Sequence, residues 1–142
     1  GAKDAKKFAD ILGATLAIIH KSRPAPNRSH VTHVVGEVKG RTCIIYDDMI
    51  DTGGSVMGAA KALRSMGSNK DVYLAATHAV FSDPAAKNLA NMDFREIVVT
   101  NSIPISKNKR FRGLKILSVA PLLARIIRSI HEDKSVTKTL TK

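Results

Sequence analysis

The sequence predicts an α/β fold with a mostly parallel sheet flanked by helices. Short β-branched, apolar segments alternate along the chain with segments of helical periodicity, which is the order that right-handed βαβ units produce. Hydrophobic residues make up 44% of the 142 residues, which is enough to form one core. We therefore expect a single domain over residues 1–142, with ligands bound at the edge where the parallel strands end.

The individual elements follow from the spacing of apolar residues and from the positions of Gly and Pro. Helices are predicted over residues 3–12, 55–66, 83–92 and 121–133. Strands are predicted over residues 14–20, 31–38, 42–46, 71–80, 95–103 and 114–120. Residues 21–30 contain two prolines and few apolar residues, which predicts a mobile loop. Asp83 is expected to cap its helix, with Pro84 in the first helical position.

The charge of the chain restricts the class of ligand. The formal net charge is +11, which attracts nucleic acid, an anionic membrane surface or phosphorylated small molecules. The densest basic cluster, "KNKRFR" at 107–112, is either a solvated loop or a contact for phosphate or nucleic acid. Aromatic residues make up only 4% of the chain, which leaves little surface for stacking bases. A nucleic-acid partner therefore rests on charge alone, and we do not expect one.

Cysteine, histidine and apolar residues indicate the compartment and the metal content. Cys43 is the single cysteine, which rules out an internal disulfide, and its apolar surroundings predict a buried structural thiol in a reducing cytoplasm. No segment approaches the roughly 20 apolar residues that span a bilayer, and none has the pattern of a signal peptide, so no membrane partner is expected. The histidines lack metal-ligand spacing. His78 is expected to be a hydrogen-bonded structural residue, and His20 is ambiguous.

The segment "IIYDDMIDTGGSVM" at 44–57 carries the most specific chemistry of the sequence. An apolar strand ends, and a short loop leads into an Ala-rich helix whose first N–H groups have no intrahelical acceptor. Gly53 and Gly54 allow positive φ angles and a close approach of the backbone to a ligand. Thr52 and Ser55 add hydroxyl donors, so the loop predicts a cradle for a phosphate group.

Two carboxylates precede this loop and do not fit a simple phosphate site, because they would repel the anion. Asp47 and Asp48 can instead accept hydrogen bonds from a vicinal diol or reach Mg²⁺ through water. A phosphate beside a diol describes ribose 5-phosphate. The structural alternative is that the two aspartates form a turn and that Ser55 is an ordinary helix N-cap. Neither a Walker loop nor a dinucleotide fingerprint is present.

The same segment, as "IIYDDMIDTGGS", resembles the phosphoribosyl pyrophosphate motif of type I phosphoribosyltransferases. Further segments resemble class I ribose-phosphate diphosphokinase, namely "AIIHKSRP", "THAVFSDPA", "IVVTNSIP" and "ILSVAPLLARIIRSIHEDKSV". The resemblance covers nearly the whole chain and implies a type I phosphoribosyltransferase-like fold. It corresponds to the C-terminal domain of that two-domain enzyme, so the resemblance implies that the N-terminal domain is absent from this sequence.

The resemblance also implies a reaction, in which a kinase-type transferase of nucleotide biosynthesis moves the pyrophosphoryl group of MgATP to C1 of ribose 5-phosphate. The co-substrate would be ATP with Mg²⁺, and no resident metal is implied. Asp47 and Asp48 would meet the ribose hydroxyls and metal-bound water, while Lys21 and Arg23, on a flexible catalytic loop, would stabilise the transferred phosphoryl group. The 5-phosphate would be held by Asp51, Thr52, Gly53, Gly54 and Ser55.

The resemblance also implies an allosteric site near the end of the chain and an oligomeric assembly. Ser135 and Thr137 match family positions that help to bind an allosteric phosphate or nucleotide, whereas Lys138 and Thr139 depart from the family pattern. A frayed tail is the alternative. The family implies a hexameric homo-oligomer.

Two other functions remain open. An ordinary phosphoribosyltransferase would need a nucleobase pocket, which the residues do not predict. A non-catalytic regulatory or synthetase-associated module would not need Lys21, Arg23 and an intact loop at 47–55, all of which this chain retains. The isolated domain, if it lacks the ATP-binding partner domain, is expected to bind sugar phosphate and to catalyse weakly or not at all.

Overall fold

The computed structural model describes residues 2–25 and 28–140 and confirms the α/β fold. Four parallel strands form the main sheet in the order β3-β4-β5-β6, and β1 and β2 form a separate antiparallel pair. The elements are α1 (Ala2–Leu12), β1 (Ile18–Ala25), β2 (Arg28–Val35), β3 (Cys43–Ile50), α2 (Gly54–Ser65), β4 (Val72–Ala79), α3 (Ala85–Ala90), β5 (Phe94–Thr100), β6 (Leu114–Leu117), α4 (Ala120–His131) and α5 (Val136–Leu140).

The parallel register brings the carboxyl ends of all four strands to one edge of the sheet. Ile45 of β3 lies opposite Leu74 of β4, Leu74 lies opposite Ile97 of β5, and Ile97 lies opposite Leu114 of β6. Because parallel strands need crossover connections, each strand is followed by a segment that returns over the sheet, and α2 and α3 lie in two of these connections. The turn between β3 and α2 therefore lies at the carboxyl edge.

The core packs on one face of the sheet. Along β4, Val72, Leu74 and Ala76 are buried, while the residues between them are only half-buried. Helix α2 contributes Ala59 and Ala60, which are fully buried and small enough to let the helix backbone approach the strands closely. Burial of these aliphatic side chains is the main favourable term in the stability of the fold.

The prediction of a loop over residues 21–30 is wrong, because most of this segment has extended backbone. Strand β1 continues to Ala25, β2 begins at Arg28, and the two pair in an antiparallel hairpin. Residues 26–27 lie outside the described residues. The composition of this segment is polar, but antiparallel pairing gives Lys21, Ser22 and Ala25 partners across the hairpin. This tertiary gain does not appear in local propensity.

The end of β3 also differs from the prediction. Asp47 and Asp48 lie inside the strand, which runs to Ile50, and not in the loop after it. Asp47 pairs with Ala76 of β4, and Met49 pairs with His78. Aspartate disfavours strands in isolation, but the ladder with the neighbouring central strand β4 holds these residues in extended conformation.

Two helices start differently from the prediction. Helix α3 covers only Ala85–Ala90, with Pro84 at the N-cap position and no side-chain cap, so the predicted Asp83 cap is wrong. Asp83 instead lies 3.8 Å from the ammonium group of Lys109. Helix α4 begins one residue before Pro121 and is amphipathic as predicted. Its large apolar residues stay largely outside the described core, with Ile127 66% exposed.

The packing of β4 makes a direct prediction. We expect Leu74→Ala to lower the free energy of unfolding by about 2–5 kcal/mol, since the side chain is fully buried and its loss leaves a cavity. Urea unfolding followed by circular dichroism measures this change. The matched control is Leu117→Ala, because Leu117 is 55% exposed at the end of β6. Equal destabilisation by the two variants would contradict the assignment of the core.

Candidate functional site

The candidate site is the turn of residues 51–53 that links β3 to α2 at the carboxyl edge of the sheet. Gly53 is the N-cap of α2 and has φ 80° and ψ −10°, a left-handed conformation that favours glycine. A Cβ atom at this buried position would lie 3.5 Å from Cγ of Leu89 on α3. Gly54 does not adopt a positive φ, so only the first glycine of the pair meets the prediction.

The N-terminus of α2 faces this turn with its backbone donors. The Met57 N–H donates to the Gly53 carbonyl over 3.0 Å, which is the first bond of the helix. Across the described chain, no side chain caps the helix, so the predicted alternative of Ser55 as N-cap is wrong; Ser55 lies half-buried inside the first turn. Asp51 and Thr52 are exposed. An anion at the turn would meet N–H groups and the positive end of the helix dipole.

The carboxylates of the two adjacent aspartates accept hydrogen bonds from backbone amides. The Asp47 carboxylate accepts a 3.0 Å hydrogen bond from the Asp48 N–H, and the Asp48 carboxylate accepts a 2.8 Å bond from the Met49 N–H. The bond from Met49, followed by the Asp47 side chain, lowers the pKa of Asp48. The contribution of the Asp47 side chain to this pKa shift shows that the two carboxyl groups lie in contact at the end of β3.

The segment after β4 is bonded to the end of β3, next to the turn. The Phe81 N–H donates to the Ile50 carbonyl over 3.1 Å, and the Phe81 carbonyl accepts a 2.7 Å bond from Lys109 Nζ. The Phe81 and Phe111 rings lie 6.3 Å apart. Part of the basic cluster at 107–112 is therefore structural, because Lys109 binds the segment that follows β4. The sequence had predicted either a solvated loop or a contact for phosphate or nucleic acid.

A polar network that the sequence did not reveal lies at the same edge, at the ends of β4 and β5. His78 Nδ1 lies 2.9 Å from the Ser102 hydroxyl, and this hydroxyl donates to the Thr77 carbonyl over 3.1 Å. Thr100 donates to the same carbonyl over 2.7 Å. The prediction of a hydrogen-bonded His78 is confirmed. Ser102 was missed because the strand was predicted to run over residues 95–103, whereas β5 ends at Thr100.

The remaining predicted site residues lie elsewhere. Lys21 and Arg23 belong to β1. Ser135 precedes α5, and its hydroxyl accepts a 3.4 Å bond from the Lys138 N–H, while Thr137 lies within α5. The frayed tail does not describe residues 136–140, which are helical, and Thr139 ties α5 to α4 through a 2.7 Å bond to buried Ser129. None of these roles is tested, and they stay predictions.

Cys43 is half-buried, and this burial raises the pKa of its thiol, which suits a structural residue. Within residues 2–25 and 28–140, no group of three potential His, Cys, Asp or Glu ligands could hold a metal ion. No helix in this part of the chain has the length and apolar character needed to cross a membrane.

A cavity of about 470 Å³ opens at the opposite edge of the sheet, where β4, β5 and β6 begin. Its lining includes Lys70, Arg95 and Arg112 but also Asp71 and Asp93. Carboxylates of this kind oppose anion binding, and ligands of parallel sheets bind at the carboxyl edge. We therefore place the candidate site at the turn of residues 51–53, not in this cavity.

Comparison with known proteins gives consistent results. A family model described as the phosphoribosyl synthetase-associated domain matches residues 23–141. The chain is 54% identical over 136 residues to the ribose-phosphate pyrophosphokinase of Mycobacterium leprae, covering 94% of this chain and 41% of that protein. It is 49% identical to the protein of the same name from Clostridium acetobutylicum, over 97% of this chain and 43% of that protein.

A solved structure agrees with these relatives. The crystal structure of phosphoribosylpyrophosphate synthetase from Mycobacterium smegmatis matches 93% of this chain with a TM-score of 0.80 and 51% identity, and this match spans 42% of that chain. The chain thus spans less than half the length of the relatives described here. With a family model matching residues 23–141, the chain belongs to the phosphoribosyl synthetase-associated domain family.

Proposed function

We propose that this chain is the ribose-5-phosphate-binding, C-terminal domain of a ribose-phosphate diphosphokinase. The complete enzyme would transfer the pyrophosphoryl group of MgATP to C1 of ribose 5-phosphate and release AMP. The observation that carries the proposal is the uncapped N-terminus of α2 behind the left-handed Gly53, at the carboxyl edge of a parallel sheet. The name of relatives that are 54% and 49% identical supports the same reaction.

In this proposal the loop Asp51–Ser55 holds the 5-phosphate. Backbone N–H groups of the turn and of the first helical turn donate to the phosphate oxygens, and the Thr52 and Ser55 hydroxyls add further donors. Asp51 would take part through its backbone N–H, because its carboxylate would repel the anion. The net charge of +11 favours the approach of a doubly charged sugar phosphate.

The aspartates would bind the ribose hydroxyls, and residues of β1 would contact the transferred phosphoryl group. Ionised carboxylates at Asp47 and Asp48 accept hydrogen bonds from ribose hydroxyls and from water bound to the Mg²⁺ that enters with ATP. Lys21 and Arg23 of β1 would stabilise the negative charge on the transferred β-phosphoryl group. The reaction would also require residues that bind ATP.

A second candidate is a non-catalytic module that binds sugar phosphate beside a synthetase. The description of the matched family as synthetase-associated favours it. Both candidates bind ribose 5-phosphate, and they differ in whether the residues of this chain support turnover. The chimera described below separates them.

Calorimetric titration of the chain with ribose 5-phosphate and Mg²⁺ tests the loop. We expect saturable binding, and we expect Thr52→Val to weaken it about 10- to 100-fold, because a hydrogen bond to a charged group contributes about 1.5–3 kcal/mol. Valine keeps the branched shape but removes the hydroxyl donor. The control is Thr42→Val, whose hydroxyl accepts a bond from Asn69 before β3, at the opposite edge. Absence of binding by the folded wild-type chain would refute the site.

A chimera tests the complete reaction. The matched segment of the Mycobacterium leprae enzyme, 136 residues long, is replaced by this chain. We expect AMP formation that depends on ribose 5-phosphate and MgATP, and a loss of most activity in Lys21→Ala and Arg23→Ala, with the affinity for ribose 5-phosphate retained. A chimera that folds and binds ribose 5-phosphate but forms no AMP would support the non-catalytic module.

The pKa of Asp48 gives a pH-dependent prediction. Its pKa in the folded state is lowered from the ordinary value of 3.8, so the unfolded chain binds the proton more tightly. The resulting stabilisation is fully present above 3.8 and is lost as the pH falls through the lower folded-state pKa. We expect the difference in unfolding free energy between the wild type and Asp48→Asn to shrink on acidification, measured by urea unfolding between about pH 2.5 and 6. A difference that stays constant over this range would contradict an ionised, amide-bonded Asp48.

A further inference from the structure

His78 lies beside the candidate phosphate loop. It is the second-last residue of β4 and pairs in register with Met49 of β3, whose strand ends one residue later. The loop Asp51–Ser55 follows directly. The imidazole is half-buried at the carboxyl edge of the sheet, which is the edge where parallel sheets bind ligands.

The hydrogen bonds around Ser102 favour one position for the imidazole proton. The Ser102 hydroxyl has a single hydrogen, and it donates this hydrogen to the Thr77 carbonyl over 3.1 Å. When this hydroxyl donates to the Thr77 carbonyl, its contact with His78 Nδ1 at 2.9 Å has the imidazole as the donor. In that arrangement neutral His78 carries the proton on Nδ1 and a lone pair on Nε2.

The Ser102 side chain is itself held in place. Its backbone N–H donates to the Thr100 hydroxyl over 3.1 Å, and that hydroxyl donates to the Thr77 carbonyl. The Thr77 carbonyl thus accepts two hydroxyl groups and anchors the network to the main chain of β4. The orientation of the imidazole ring follows from these bonds rather than from loose packing.

The other ring nitrogen is left for a ligand. Within the part of the chain that the structure describes, Nε2 of His78 has no hydrogen-bond partner, although the side chain is half-buried. A fixed acceptor of this kind at a ligand-binding edge suits a group that donates a hydrogen. A sugar hydroxyl donates one, whereas an ionised phosphate oxygen would be repelled by the nitrogen lone pair.

We propose that His78 Nε2 accepts a hydrogen bond from a hydroxyl group of the bound sugar phosphate, and that Ser102 is the positioning residue that fixes the required tautomer. The inference rests on the proposed function, since it assumes that the neighbouring loop binds the phosphate of the same molecule. His78 would then distinguish a sugar phosphate from free phosphate, which the loop alone does not do.

Nitrogen-15 NMR of the imidazole rings tests the tautomer without any ligand. At about pH 8, where imidazole in water is neutral, we expect a protonated Nδ1 and an unprotonated Nε2 in His78. Ser102→Ala should remove this preference, while the exposed His131 of α4 serves as the reference ring. Addition of ribose 5-phosphate should shift the Nε2 resonance of His78. A free chain with the proton on Nε2 would overturn the inference.

Two substitutions of His78 distinguish the roles of its two ring nitrogens in binding. His78→Asn places an amide donor near the position of Nδ1, so it keeps the bond to Ser102 and removes the Nε2 acceptor. His78→Gln places an amide oxygen near the position of Nε2. We expect His78→Asn to bind ribose 5-phosphate about three- to tenfold more weakly, the effect of one neutral hydrogen bond, and His78→Gln to restore most of the affinity.

Inorganic phosphate as a second probe and His131→Asn as a control show whether the inference or the proposed function fails. Inorganic phosphate should bind equally to the wild type and to both variants, and His131→Asn should leave all affinities unchanged. If ribose 5-phosphate binds equally well to His78→Asn, or if this variant loses phosphate and ribose 5-phosphate alike, the inference is wrong and the proposed function stands. If the wild-type chain binds no ribose 5-phosphate, the proposed function fails and the inference fails with it.

Discussion

The parallel pairing of β3 with β4 is the constraint on which the rest of the molecule depends. Ile45 and Leu74 meet in this ladder and are buried on the same face. A slip of one residue would turn these side chains to the other face and would move every following residue of β3 with them. The aspartates, the turn and the start of α2 would then lose their places relative to His78, which pairs with Met49 in the same register.

The carboxyl edge of the sheet combines hydrogen-bond donors and acceptors that suit different groups of a ligand. The start of α2 offers backbone donors for an anion, while the Asp47 and Asp48 carboxylates and the His78 imidazole offer acceptors for hydroxyl groups. A simple anion would bind the backbone donors but would be repelled by the acceptors. A molecule with a phosphate at one end and hydroxyl groups at the other can bind both, and this is the physical basis of the proposed substrate.

The scaffold holds this edge with groups that do not touch the ligand in the proposal. Lys109 reaches the Phe81 carbonyl, and the Phe81 amide binds the last residue of β3. A side chain at the left-handed Gly53 would contact Leu89 of α3. Because a ligand site requires fixed geometry, these contacts connect the core to the turn, and changes at Lys109 or Leu89 act on the site through the backbone.

The sequence by itself determined the fold class, the positions of most helices and strands, and the turn as the most specific chemical feature. These follow from hydrophobic periodicity and from a glycine at the start of a helix, which are local signals. Only the tertiary structure decided that residues 21–25 and 28–30 are strands, that Asp47 and Asp48 lie within β3, and that Asp83 pairs with Lys109 instead of capping α3. It alone brought Ser102 to His78, which are 24 residues apart in sequence. Contacts between distant segments supply the energy for each of these features, and no local pattern of residue types encodes such contacts.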